Sequence, residues 1–242
     1  MFKRLLLGTV LFLASASVGR ADFLSLSDLQ VVVGSGSNEA GFVVDWNDGG
    51  VNHSLAWGYR WNGTATAEDM LRALAASPLT GIYATLGDFG PGLGFAVFGI
   101  GVDLNQNGTF GVTPTLTFTN GIATLSGTTG LDESRQPTDP GDLYREGWFT
   151  TGYWNLWSKA NSTDDWVSSN VGMSSLTLTD GSWIGWGFAN DFNVLTPADP
   201  IAATPIGGPP PTATPAPGAL VLLITAAPVV LGFRRRKAPA RA

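Results

Sequence analysis

An uncharged apolar run at residues 218–233 constrains this chain most strongly, because it limits which part can fold as a water-soluble domain. As a helix it would be about 24 Å long at ~1.5 Å per residue, short of the ~20 residues that usually span a bilayer core. Pro228 lies within the run and can kink such a helix. Four basic residues follow and favour a cytoplasmic position for that end: Arg234, Arg235, Arg236 and Lys237. We therefore predict a transmembrane helix at 218–233 and a basic cytoplasmic tail at 234–242.

The N-terminus has the organisation of a secretory signal peptide. Lys3 and Arg4 precede an apolar stretch at residues 5–16, and small residues follow it. This pattern is too short for a membrane span and predicts cleavage near Ala21, with Ala16 as the alternative site. We assign residues 1–21 to the signal peptide, 22–199 to an extracytoplasmic domain and 200–217 to a proline-rich linker.

The C-terminal segments follow one another in a characteristic order: a proline motif, a short apolar helix and an arginine cluster. The residues that carry this pattern are Pro215, Ala216, Pro217, Gly218, Arg234, Arg235, Arg236 and Lys237. The order resembles the PEP-CTERM sorting signal of bacterial exported proteins, with Ala216 where the signature glutamate would be. The resemblance implies an exosortase-type processing enzyme as partner and a cell-surface or extracellular location after processing. A plain tail anchor with a stop-transfer cluster is the alternative interpretation.

Charge and cysteine content exclude several functions for the body. All 19 acidic residues lie between Asp22 and Asp199, whereas most of the 13 basic residues lie in the two termini. Such an acidic surface repels phosphate backbones, so we predict no nucleic-acid partner; it suits cations instead. The chain has no cysteine, which excludes disulfides, thiolate catalysis and zinc-finger or iron–sulfur sites.

The body is predicted to be α+β and rich in strands. Strand patterns at 41–46 and 55–61 flank a turn, and an Asn120-Gly121 pair predicts a hairpin between strands at 115–118 and 122–126. Thr66 and Asp69 have the spacing of a capping box at the start of a helix that ends before Pro78. We predict an antiparallel sheet with one packed helix.

The second half of the body carries a weak family pattern. Tyr153, Trp154 and Trp157 are followed by a turn, the segment 171–176, the triplet 180–182 and a closing aromatic strand. Together with the helix at 66–76, this order resembles the β-grasp domain found at the C-terminus of transcobalamin and in related bacterial surface proteins. The resemblance implies a β-grasp-like fold, in which one sheet packs on the helix and residues 81–145 form a strand-rich insertion. It also implies binding or scaffolding and supplies no catalytic residues.

One loop has the first half of a calcium-binding pattern. Asp103, Asn105 and Asn107 are followed by Gly108 and Thr109, so oxygen side chains stand at positions 1, 3 and 5 and glycine at position 6. Position 12 is Pro114 where a bidentate glutamate would belong. The pattern therefore leaves two interpretations: a weak calcium site completed by distant acids, or an Asx-rich turn between strands. We predict no other cofactor.

Catalytic patterns are sparse. His53 is the sole histidine, and any Ser-His-Asp triad would have to use it; the residues before it predict that it lies in a turn. The pairs Asp45 with Asp48 and Asp132 with Glu133 would suit the acid and base of a glycoside hydrolase, although their spacing does not distinguish them from a solvated acidic surface.

We therefore predict a non-enzymatic envelope or extracellular-matrix protein. The first alternative is a carbohydrate-binding surface module that contacts extracellular polysaccharide through exposed Trp148, Trp154, Trp157 and Trp166, and the second is a glycoside hydrolase. Tryptophan exposure separates scaffold from sugar binding, because a sugar site needs exposed rings. The strand patterns predict that Trp57, Trp61, Trp154 and Trp186 are mostly buried, so Trp154 belongs to both sets.

Overall fold

A computed structural model of the chain describes residues 23–50, 53–126, 130 and 133–207. A short 3-10 helix (Leu26–Asp28) precedes the strands. The elements that follow, in chain order, are β1 (Val32–Gly34), β2 (Asn38–Asp45), β3 (Ser54–Trp61), α1 (Ala67–Ala76), β4 (Ile82–Asp88), β5 (Phe95–Val102), β6 (Val112–Thr113), β7 (Ile122–Ser126), β8 (Gln136–Pro137), β9 (Leu143–Glu146), β10 (Gly152–Lys159), β11 (Val167–Ser168), β12 (Trp183–Asn190) and β13 (Ile201–Ala202). The described part of the chain is thus β-rich with one α-helix, as predicted.

The main sheet has seven strands and is mixed, where the sequence predicts an antiparallel one. Its order is β1-β3-β2-β12-β10-β11, with β13 added beside β3. β2 pairs antiparallel with β3 and parallel with β12, and β10 pairs antiparallel with β12. Parallel neighbours need a long crossover. The chain supplies it between β3 and β10, where the helix and the second sheet intervene.

The second sheet has the order β7-β4-β5-β9 and uses residues from the predicted insertion. β4 pairs antiparallel with β5, with a bulge between Thr85 and Leu86, and β5 pairs antiparallel with β9. A separate two-stranded ladder joins β6 to β8. The indole N–H of Trp46, the residue just after β2, donates to the carbonyl of Ile100 in β5 at 2.9 Å and so links the two sheets.

Helix α1 begins where the sequence predicts. The Thr66 hydroxyl accepts a hydrogen bond from the Asp69 backbone N–H at 3.2 Å, and the Asp69 carboxylate accepts from the Thr66 N–H at 2.8 Å. This reciprocal capping box satisfies two of the N–H groups that a helix start leaves unpaired. The helix ends at Ala76, shortly before Pro78, and buries its apolar face: Met70, Leu71 and Leu74.

The core lies on both faces of the main sheet. The larger cluster joins both sheets and α1, and includes Trp57, Trp61, Trp154 and Trp186, which confirms their predicted burial. A smaller cluster covers the opposite face with Leu29, Val43, Ala56 and Trp183. Burial on both faces explains how a body without disulfides holds together, because buried apolar area is then its main source of stability.

Two sequence boundaries differ from the structure. Asn120 and Gly121 form the predicted tight turn with φ of 49° and 73°, but only Thr119 and Ile122 form a bridge across it. β7 pairs instead with β4 in parallel, because that ladder places Ile122 and Ala123 in the core. At the other end, β13 joins the main sheet, so the fold continues past residue 199.

Candidate functional site

The loop that follows β5, residues 103–109, curls around one buried carboxylate; we call it the acidic loop. Asp103 is 2% exposed, and its backbone N–H donates to the carbonyl of Gly81 at 3.0 Å. Its Oδ1 accepts from the backbone N–H of Asn107 at 3.1 Å, and its Oδ2 from that of Gly108 at 2.7 Å. Left-handed φ values of 60° at Gln106 and 79° at Gly108 allow this tight path.

A second segment, residues 139–142, closes against the acidic loop. The side-chain amides of Asn105 and Asn107 donate to Asp139 Oδ2 at 2.9 Å and 2.7 Å. Their amide oxygens accept from backbone N–H groups, those of Asn107 and Thr109 respectively. Asp139 Oδ1 accepts from the Gly141 N–H at 2.8 Å. Hydrogen bonds therefore hold both asparagines in fixed orientations beside Asp139.

Asp142 stands out in this second segment because it is buried without a partner. It is 4% exposed, and neither carboxylate oxygen has a hydrogen-bond partner in the part of the chain that the structure describes. Burial, reinforced by the negative charges of Asp103 and Asp139, raises the pKa of Asp142 to about 6, although the nearby backbone amides of Asn105 and Leu104 oppose the rise. The three carboxylates therefore share one electrostatic site.

Strand pairing explains why these segments meet. β5 and β9 are antiparallel with Val102 opposite Leu143, so the next positions in this register are Asp103 and Asp142. The β6–β8 ladder draws the flanking chain together a few residues away. The calcium-loop pattern in the sequence predicts Asp103, Asn105 and Asn107, which the structure brings together, and Thr109, which lies exposed at the rim. It missed Asp139 and Asp142, because the polar stretch that contains them gives no sign of where it packs.

Calcium-type ligands fit this site better than a ligand set based on nitrogen or sulfur. Among residues 23–50, 53–126, 130 and 133–207, no three acidic, histidine or cysteine side chains form a ready-made metal cage. The acidic loop and the 139–142 segment together offer three carboxylates, those of Asp103, Asp139 and Asp142, beside the amide oxygens of Asn105 and Asn107. Hard cations such as calcium take this mixture, whereas zinc prefers histidine and cysteine.

An open cleft of about 990 Å³ borders the same segment and includes Asp142 in its wall. Arg135 and Glu146 also line this cleft, and Arg135, which is 4% exposed, donates from one Nη to both oxygens of Glu146 at 2.9 Å. The Tyr144 hydroxyl donates to Glu146 at 2.9 Å and is 2.8 Å from the Thr85 hydroxyl. Burial and the Glu146 charge hold the pKa of Tyr144 far above its usual value. These linked side chains form part of the cleft wall, and Arg135 Nε is the one atom of the network without a hydrogen-bond partner among the described residues.

The residues considered for catalysis have other partners. His53 Nδ1 lies 2.7 Å from an Asp48 oxygen, as the His-Asp half of a triad would require. The serine next to it in the chain, Ser54, donates its hydroxyl hydrogen to the Ala198 carbonyl at 2.9 Å and not to His53. The two oxygens of Asp45 accept backbone N–H groups from Asn47 and Ala198, each at 2.8 Å. Asp45 therefore serves to hold loops in place.

The second carboxylate pair is only half described. Glu133 forms an ion pair with Arg135 at 2.8 Å. Asp132 lies outside the described residues.

The tryptophans considered for sugar stacking do not share a surface. Trp154 and Trp157 are buried, and the indole N–H of Trp154 donates to the Arg145 carbonyl at 3.1 Å. Trp148 and Trp166 are half-buried. They pack against different neighbours, Trp148 against Phe89 and Phe98, and Trp166 against Phe23 and Lys159.

The residues of the sorting signal lie outside the described part of the chain: Pro215, Ala216, Pro217, Gly218, Arg234, Arg235, Arg236 and Lys237. The signal peptide at 1–21 and the predicted transmembrane helix at 218–233 lie outside it as well. The helices that the structure does describe include none long and apolar enough to cross a membrane. Comparison with known proteins found no matching family model, no similar curated protein and no similar solved structure.

Proposed function

We propose that this chain is an exported bacterial cell-envelope or extracellular-matrix protein, non-enzymatic, with a C-terminal PEP-CTERM-like sorting and anchoring signal. One observation carries the proposal. An uncharged apolar segment near each end of the chain, residues 5–16 and 218–233, adjoins basic residues: Lys3 and Arg4 precede the first, and Arg234 to Lys237 follow the second. These two patterns suit targeting signals, one read by the export machinery and one held in the membrane.

Tryptophan burial favours a scaffold over a sugar-binding module. Seven of the nine tryptophans are buried, and the other two are half-buried in separate places. Stacking on a sugar ring requires an aromatic face that is open to solvent. The tryptophans of this body contribute mainly to its core, as expected of a display or matrix domain that lacks disulfides.

We further propose a distant relation between this body and the β-grasp domain. The support is local: the start of α1 is joined to the segment that carries the family pattern. The Ala67 N–H donates to the Leu176 carbonyl at 2.9 Å, and the Leu178 N–H donates to the Ala65 carbonyl at 2.9 Å. An experimental structure in which α1 makes no contact with this segment would contradict the relation.

The sorting proposal is tested by changing the basic cluster in a bacterial host that encodes an exosortase. Replacing Arg234, Arg235, Arg236 and Lys237 with serine removes the charges that resist translocation. We expect a larger share of the body in the culture medium than for the wild type. Arg241→Ser is the matched control, because it removes one positive charge outside the cluster, and it should fractionate like the wild type. Equal fractionation of the cluster variant and the wild type as uncleaved cytoplasmic protein would refute the proposal.

A second variant separates the sorting signal from a plain tail anchor. Ala216→Glu restores the signature acid between Pro215 and Pro217. We expect it to increase the fraction of processed chain in a host with an exosortase and to have no effect in a host that lacks the enzyme. If processing of Ala216→Glu equals that of the wild type in both hosts, the tail is an anchor and not an exosortase substrate.

A further inference from the structure

The acidic loop and the 139–142 segment form a polar site that the envelope function leaves unexplained. The antiparallel register of β5 and β9 ends at Val102 and Leu143, which places Asp103 and Asp142 next to each other. In the described segments no salt bridge involves Asp103, Asp139 or Asp142. Unlike the buried Arg135–Glu146 pair, these carboxylates have no positive side chain to offset them.

Asp142 is the observation that points to a ligand. A carboxylate that is 4% exposed and forms no hydrogen bond, with only the nearby backbone amides of Leu104 and Asn105 to offset its charge, is costly, because an ionised group loses its hydration on burial. Asp103 differs, since two backbone N–H groups satisfy its oxygens. A protein that only needed a turn here would be more stable with a neutral residue at position 142. The buried acid is explained if a cation completes its coordination.

We propose that the acidic loop binds one calcium ion, with Asp103 and Asp142 as carboxylate ligands and the side-chain oxygens of Asn105 and Asn107 as further ligands. Asp103, Asn105 and Asn107 stand at positions 1, 3 and 5 of a calcium loop. Asp142 takes the part of the acid that is missing at position 12, where the chain has Pro114. It reaches the site through sheet pairing and not through sequence proximity.

Asp139 is a positioning residue in this proposal. Its Oδ2 accepts from the amide nitrogens of both Asn105 and Asn107, which fixes the rotation of each amide. The Asn105 oxygen accepts one backbone N–H and keeps a lone pair for a metal ion. The Asn107 oxygen accepts both the N–H and the hydroxyl of Thr109, so this exposed hydroxyl must rotate away before the oxygen can bind the ion. The site therefore needs little rearrangement of the loop.

Calcium is favoured over magnesium for reasons of geometry. Calcium accepts six to eight oxygen ligands in irregular arrangements, whereas magnesium requires a near-ideal octahedron and keeps several waters. The ligands here come from two segments joined only by strand pairing, and such a site does not enforce an octahedron. With two carboxylates, we expect a Kd on the order of 10⁻⁴ to 10⁻³ M, as in extracellular modules.

The test uses the full chain, purified in mild detergent and stripped with chelator. Calcium chloride is titrated in a calorimeter at constant ionic strength, and magnesium chloride is titrated in parallel. Tryptophan fluorescence melts are recorded at each calcium concentration. We expect a Tm that rises with calcium concentration, because the ion binds only the folded state, and a weaker response to magnesium.

Asp142→Asn identifies the site, because it keeps the shape of the side chain and removes its charge. We expect this variant to bind calcium roughly tenfold or more weakly. In chelator it should melt at or above the wild-type Tm, because the unpaired charge has gone. Asp164→Asn is the matched control; Asp164 is an exposed turn acid that accepts from Asn161 at 2.8 Å. This control should keep the full calcium response.

Three results would overturn the proposal. The first is a wild-type Tm that is identical in chelator and in about 10 mM calcium, a concentration well above the expected Kd. The second is an Asp142→Asn variant with the full calcium response, which would place binding elsewhere. The third is a marked loss of stability of this variant in chelator, which would show that the carboxylate has a structural partner. The wild-type titration decides the question even if the variant does not fold.

Discussion

Truncation of Trp57 tests whether the aromatic residues of this chain form its core. Trp57 lies in β3, is 0% exposed and packs edge-on against Phe42 with ring centroids 6.3 Å apart. Its indole N–H has no hydrogen-bond partner among the described residues, so Trp57→Ala removes packing alone. Replacing a buried tryptophan with alanine costs about 3–5 kcal/mol. For a domain of this size, that corresponds to a fall in Tm of roughly 6–20 °C.

Urea denaturation followed by fluorescence of the remaining tryptophans measures this cost. Trp57→Phe should cost clearly less than Trp57→Ala, because phenylalanine fills much of the volume and leaves no unpaired N–H. Leu93→Ala is the control; Leu93 is 77% exposed, and its truncation should stay within about 0.5 kcal/mol. A Trp57→Ala variant as stable as the wild type would show that the ring is exposed, and would favour the carbohydrate-binding alternative.

Three further predictions concern single features of the fold. Thr66→Ala removes the hydroxyl that caps α1 and should cost about 1 kcal/mol in urea melts; an unchanged midpoint would contradict the capping role. Gly121→Ala should lower the Tm more than Gly63→Ala, although both glycines have positive φ. At Gly121 an added Cβ would lie 2.3 Å from the Ala75 carbonyl oxygen, whereas at Gly63 it would lie in open space. Equal Tm values for the two glycine variants would refute the proposed clash at position 121. Burial raises the pKa of Asp48, but hydrogen bonds from Gly50 and His53 outweigh it and leave that pKa below its usual value. Asp48 should therefore stabilise the fold above its unfolded pKa of about 4, and this contribution should be lost as the pH falls through its folded pKa. In urea melts across this pH range, the stability of Asp48→Asn should depend less on acid than that of the wild type. An unchanged pH dependence would contradict this role of Asp48.

Local features of the fold could be predicted from sequence. Helix α1 is specified by Thr66, Asp69 and Pro78 within a few residues of one another. The paired strands β2 and β3 are likewise specified by short apolar runs around a turn. Such elements depend on propensity, capping and period, which are visible in a short window.

Long-range pairing could not be predicted in this way. The parallel neighbours of β2 and β4 come from strands far along the chain, and no local signal names them. Competition between possible partner strands also decides which strands pair. The turn at Asn120 and Gly121 is suited to a hairpin, yet β7 pairs with β4 because this buries Ile122.

The same limit applied to the candidate calcium site. The half-motif at Asp103, Asn105 and Asn107 is local and was recognised. Asp142 joins it only through the register of β5 and β9, which the sequence does not reveal. A polar stretch that looks like an ordinary loop therefore supplies the missing acid.

The most direct measurement of the envelope proposal combines protease treatment of intact cells with N-terminal sequencing of the chain recovered from the membrane fraction. The proposal predicts that the acidic body is digested from outside and that the recovered chain begins just after Ala16 or Ala21. A body protected in the cytosolic fraction, with Lys3 and Arg4 still attached, would contradict it.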